Sequence, residues 1–125
     1  MNAVIPCLAL ASCVAFAQTP SADGGRFFDK SVAPILTKRC LGCHNDELKD
    51  GEISLLDRGS LLKGGGRGPA IVPGKPAESV LIHAIRHEGD LKMPPGVKLS
   101  AKEIATLTVW IKGGAAWGTK LRSNR

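Results

Sequence analysis

Apolar residues recur along this chain in three helical stripes, separated by long stretches without periodicity. From Phe27, the positions Phe28, Val32, Ile35 and Leu36 fall on one face at three- and four-residue spacings, which predicts a first helix running into Cys40. Pro34 sits inside it; its ring removes an intrahelical hydrogen bond and predicts a kink or a restart. Ala77 to His87 reads as a second helix, with Leu81, Ala84 and Ile85 inward and Ile82 at the edge. The clearest helix begins at Ser100. Ser100 and Glu103 have capping-box spacing, Ile104, Leu107 and Ile111 form one stripe with Trp110 beside it, and Gly113-Gly114 end the run.

Between the stripes the chain turns often. Ile53 and Leu55 alternate with polar neighbours as a short extended piece, and Asp57 is placed to cap a brief helix over Ser60 to Lys63. Lys63 to Pro76 is a loop dense in Gly and Pro, and Met93-Pro94-Pro95-Gly96 breaks the pattern again. No internal repeat or second domain shows. The expected fold class is all-α: one small domain, residues 27–117, with long Gly/Pro loops.

The first seventeen residues behave differently. Residues 3–17 carry no charge and end in Ala15-Phe16-Ala17, an A-x-A cleavage pattern before Gln18, so 1–17 reads as a signal peptide. The apolar run is too short to span a bilayer. No Lys or Arg precedes it; only the amino terminus supplies positive charge there. Leu10-Ala11-Ser12-Cys13 resembles a lipobox, and processing at that point would instead leave a lipidated Cys13 and bring the protein onto a membrane. Residues 18–26 read as a flexible polar leader and 118–125 as a disordered basic tail.

Cleavage after Ala17 sharpens the inventory. Of four cysteines only Cys40 and Cys43 remain, and of two methionines only Met93. The 125 residues contain five aromatics and no Tyr, few for a domain core, so a bound apolar group would help fill the middle. Seventeen Lys and Arg against eleven Asp and Glu give a net charge of +6. That balance suits an acidic protein partner. No dedicated nucleic-acid motif accompanies it, and the chain is expected to be a monomer.

Cys40-Leu41-Gly42-Cys43-His44 is C-x-x-C-H, the attachment signature of c-type haem. Two thiols three positions apart on a helical turn can reach the two vinyl groups on one porphyrin edge, and the adjacent imidazole then lies under the ring. A redox disulfide between the same cysteines would call for a βαβ context, which is not seen here. A zinc site would need four ligands: Cys40, Cys43 and His44 offer three, His83 or His87 a fourth, and the usual second pair is missing.

Six-coordinate iron needs a second ligand opposite His44. Met93, stiffened by Pro94 and Pro95, is the leading candidate; a methionine filling a core gap is the other reading. His83 reads as a surface histidine, while His87, nearest the Met93 loop, is the reserve ligand. The Gly-rich stretch 64–68 lacks the G-K-[ST] of a phosphate loop and is expected to let backbone approach the haem edge. Arg67 and Lys75 are candidates to pair a haem propionate, with solvated charge the alternative for each.

These residues together resemble the planctomycete-type cytochrome c domain of the class I cytochrome c fold. The resemblance runs over about residues 27–117. It is carried by Phe27-Phe28 with Val32 and Pro34, the C-x-x-C-H motif, Leu61-Leu62-Lys63-Gly64-Gly65, Gly68 to Pro76, Ser79 to Ile82, Lys92-Met93-Pro94-Pro95 and Leu107-x-x-Trp110-Ile111-x-x-Gly114-Ala115. It implies a helical domain whose first and last helices cross, wrapped around one covalent haem c. Cys40 and Cys43 would be the thioether residues, His44 the proximal ligand and Met93 the distal ligand.

The expected function is that of an exported, periplasmic one-electron carrier and not an enzyme, since no general base, nucleophile or substrate pocket stands out beside the motif. The rivals are a haem sensor or peroxidase-like protein with an open distal site, and a lipid-anchored subunit of a respiratory complex.

Overall fold

The computed structural model describes residues 22–44, 53–119 and 121. The signal-peptide segment 1–17, the start of the leader and the residues after 121 lie outside these. Helices appear in the order α1 (Ala22–Phe27), a π-helical segment (Phe28–Val32), α2 (Ala33–Arg39), α3 (Arg58–Lys63), a 3₁₀ turn (Pro76–Glu78), α4 (Val80–Ile85) and α5 (Ala101–Lys112). No strand forms among the described residues, and the domain is all-α as expected. No helix among them is long and apolar enough to cross a membrane.

The first three segments form one uninterrupted helical run. The break expected at Pro34 takes the form of a widened turn just before it: the Ala33 N–H reaches back five residues to the Phe28 carbonyl. Pro34 has no N–H to donate, and its ring would crowd the carbonyl of Lys30 in a tight α-turn. A π-turn relieves both conflicts without ending the helix.

This run begins at Ala22, earlier than the Phe27 start that periodicity indicates, so residues 22–26 are helix and not flexible leader. Two glycines and exposed charges in Ala22–Phe27 offer no apolar stripe to read. The far end of the chain packs against this run, with Gly25 next to the Trp117 carbonyl and Gly118. Thr119 donates from its N–H to Asp29 Oδ1 (2.8 Å) and from its hydroxyl to Oδ2 (3.2 Å). Trp117 stacks on Phe28 with centroids 4.1 Å apart, and Leu121 is buried. The start of the expected basic tail is therefore docked on the first helix.

α5 crosses the π-helical segment and also packs on α4. Its capping box is complete: Ser100 Oγ accepts from the Glu103 N–H, and Glu103 Oε1 accepts from the Ser100 N–H, each at 3.1 Å. At the other end, the Gly114 N–H bonds the Ile111 carbonyl and the Ala115 N–H the Trp110 carbonyl, which is a Schellman closure. Arg58 then forks onto the carbonyls of Gly114 (3.2 Å) and Ala115 (2.9 Å), tying α3 to this corner.

α3 forms where expected, with Asp57 Oδ1 accepting from the Ser60 N–H at 2.7 Å. The second helix is shorter than its pattern, because the 3₁₀ turn precedes α4 and the α-helix stops at Ile85. Ile82, expected at the edge, is fully buried, since α5 covers that side of α4. Ser79 is buried without penalty: its hydroxyl donates to the Lys75 carbonyl and accepts from the Val72 N–H.

Candidate functional site

The C-x-x-C-H segment continues α2 as one wound turn. The Cys40 N–H still bonds the Leu36 carbonyl, while the N–H groups of Cys43 and His44 both reach the Cys40 carbonyl, at 3.3 and 3.1 Å. Two thiols and an imidazole thus project from a single turn. The Leu55 N–H donates to the His44 carbonyl at 2.8 Å, so the second chain segment fixes the turn's exit.

Cys40 is buried and Cys43 exposed, and both are free thiols. Burial pushes the Cys40 thiol up to about 11; the Glu103 carboxylate adds to this and the Arg39 guanidinium opposes it. His44 Nδ1 is buried and without a hydrogen-bond partner. A polar atom left so costs free energy unless something binds it.

Cys40, Cys43 and His44 line a cavity of about 560 Å³, within the range of sites for cofactor-sized molecules. Its walls are mostly apolar, from residues such as Leu55, Ala70, Leu81 and Ile85. Met93, Pro94 and Pro95 line the same cavity, and the Met93 N–H bonds the Ala84 carbonyl at 3.0 Å, which fastens the methionine segment to α4.

Gly65, Gly66 and Gly68 contribute backbone to the wall. Gly65 and Gly68 exchange N–H···O bonds of 3.3 and 3.1 Å. Gly64 sits at φ 71°, and a Cβ there would collide with the Gly68 carbonyl and Pro69. The close approach that Gly64 permits is to the loop's own backbone at Gly68 and Pro69.

The rival residues fall elsewhere. His83 is on the surface as expected, its Nδ1 3.0 Å from Glu88 and its Nε2 2.6 Å from the Ala77 carbonyl. The Glu88 contact first, and the Ala77 carbonyl second, hold its pKa above the ordinary value. His87 adopts a left-handed backbone (φ 55°) and does not line the cavity, although its Nε2 is buried and unpartnered. Lys75 is also away from the cavity, ion-paired to Glu78 at 3.6 Å. Arg67 does line it, and is paired with Asp90 in a fork of 3.2 and 3.3 Å. Among the described residues, no three His, Cys, Asp or Glu side chains gather as a metal cage.

Arg39 is the wall residue that pattern reading missed. Nothing in its spacing marks it; its position immediately before Cys40 is the signal that was available.

An all-helical domain with C-x-x-C-H thiols opening onto an apolar, glycine-edged cavity has the features of a cytochrome c domain. Residues 40–96 match the family model described as planctomycete cytochrome C, which supports a domain of this type. No curated protein and no solved structure matches the chain. Members of this family hold haem c covalently and serve as electron carriers. The residues present fit that group: free thiols at the required spacing, an unpartnered buried imidazole nitrogen and an apolar cavity of suitable volume.

Proposed function

We propose that this chain is an exported mono-haem c-type cytochrome that carries single electrons. Cys40 and Cys43 would hold the haem through thioethers, with His44 and Met93 as ligands to its iron. The observation that carries this reading is the meeting of Cys40, Cys43, His44 and Met93 on one cavity, although Met93 lies far along the chain from the attachment turn. The haem supplies an iron that alternates between ferric and ferrous states, taking up or releasing one electron.

The protein's part is to hold that iron closed. Two thioethers prevent loss of the group, and the apolar wall keeps water out. The Ala84 carbonyl and the paired prolines restrict where the Met93 sulfur can go. A thioether ligand favours ferrous iron more than a second imidazole would, which raises the potential. The +6 charge favours docking to an acidic redox partner.

Met93 is the test. Ferric wild-type protein is expected to show the weak far-red charge-transfer band of sulfur ligation, and ferrous protein to resist rapid carbon monoxide binding. Met93→Ala should abolish the band, lower the potential and admit carbon monoxide. Met93→His should close the iron again at a lower potential. Immediate carbon monoxide binding by the wild type, or an unchanged band in Met93→Ala, would remove Met93 as ligand. His87→Ala would then be the next variant, and the sensor or peroxidase-like reading would lead if it too changed nothing.

Export has its own readout. Mass spectrometry of secreted protein should find an N-terminus at or near Gln18, as free or cyclised glutamine. A diacylglyceryl group on Cys13 would instead establish membrane anchoring.

A further inference from the structure

Arg39 and Glu103 form a forked ion pair. Arg39 Nε lies 3.2 Å from Glu103 Oε2 and a terminal guanidinium nitrogen 3.2 Å from Oε1. The side chains are only 28% and 19% exposed, unlike the exposed Arg67–Asp90 fork. Arg39 lines the cavity immediately before Cys40, and Glu103 belongs to the capping box of α5. The pair therefore joins the end of α2 to the start of α5 at the wall of the cofactor site.

Both charges are felt inside that wall. At the Cys40 sulfur the carboxylate of Glu103 and the guanidinium of Arg39 act in opposite directions. Glu103 stays ionised, because the Ser100 N–H and then Arg39 hold its pKa below the usual carboxylate value. A fork of this kind fixes two unit charges a few ångströms apart, so that each largely cancels the other's field at a distance.

We propose that the Arg39–Glu103 pair is a potential-tuning element: a compensated pair of charges beside Cys40 whose members act on the reduction potential with opposite sign. The proposal rests on the reading of the cavity as the haem site. Ferric iron carries one more positive charge than ferrous iron, so a lone carboxylate nearby stabilises the ferric state and a lone guanidinium the ferrous state. With both present the two influences offset. In this reading neither Arg39 nor Glu103 is a ligand of the iron, and both act as positioning and electrostatic residues.

The test is equilibrium redox titration of four haem-loaded variants against wild type, each first checked for covalent haem by mass. Arg39→Gln leaves Glu103 uncompensated and should lower the midpoint potential, shifting the ferrous-to-ferric ratio at fixed ambient potential by about threefold or more. Glu103→Gln should raise it. The double variant should return close to wild type, and Arg39→Lys, which keeps the charge but loses the fork, should stay close as well.

A purely structural clamp predicts something different. Both single variants break the same bridge, so they would move the potential in the same direction, and the double variant would not recover. Either result overturns the proposal, as do unchanged potentials in both single variants. If Arg39→Gln does not mature, Glu103→Gln and Arg39→Lys decide: a raised potential in the first with no change in the second supports it, and any other combination sinks it. Wild-type protein lacking covalent haem would overturn the cofactor reading itself, an outcome the mass measurement separates from the rest.

Discussion

Replacing both Cys40 and Cys43 with Ala should yield protein without covalent haem, whereas wild-type protein should retain its haem through acid–acetone extraction. The two thiols leave one turn of backbone, three residues apart, and both line the cavity. Each single variant should keep at most one thioether. The residues are not equivalent in setting, since Cys40 is buried and Cys43 exposed. Cys40→Ala removes buried sulfur from the core as well as a bond, so it should lower thermal stability more than Cys43→Ala does. Pyridine haemochrome spectra and intact mass read all four forms. Haem that extracts freely from the wild type would end the assignment.

Trp110→Ala should cost about 3–5 kcal/mol, measured by denaturant unfolding of the haem-loaded protein. Trp110 is 3% exposed and lies 5.7 Å from the Phe28 ring and 6.1 Å from Trp117, so three aromatics meet where α5 crosses the first helical run. Its Nε1 donates to the Ala116 carbonyl at 2.8 Å, and truncation removes that partner along with the packing. The loss is a large part of a small domain's total stability. Val109→Ala, one residue earlier but 60% exposed, is the control and should change stability by no more than about 0.5 kcal/mol. A Trp110 effect below about 1 kcal/mol would show that this crossing does not hold the fold.

Much of this was legible in the chain itself, and the parts that were not share a cause. The stripe of Ile104, Leu107 and Ile111 gave α5 and its docking face, because burial of one helical side leaves a periodic trace; Trp110, read as flanking it, is buried with Leu107 and Ile111, while Ile104 is only partly so. The caps at Ser100 and Asp57 were readable because their partners lie three residues away. The attachment turn was readable because its chemistry demands one local spacing.

What escaped depends on residues distant in sequence. Helix Ala22–Phe27 has no stripe of its own and meets Trp117 and Gly118 through Gly25, and Ile82 is buried on a helix that α5 packs against. The Arg39–Glu103 fork joins residues 64 positions apart. Lys75 was a propionate candidate by charge alone; its pairing with Glu78 is local, three residues on, but its place outside the cavity appears only in three dimensions.

The π-helical segment Phe28–Val32 has a consequence for how this chain tolerates length changes. A π-turn is an α-turn holding one residue too many. Removing Lys30 or Ser31 would wind the segment back to α with the flanking helices still in phase, at the cost of the crowding around the Pro34 ring that the π-turn relieves. Adding one residue has no such outlet. It would rotate everything before it by about 100° relative to Cys40, swinging Phe28 off the two tryptophans. The helix leading into the attachment turn thus carries a spare residue, and its tolerance runs in one direction only.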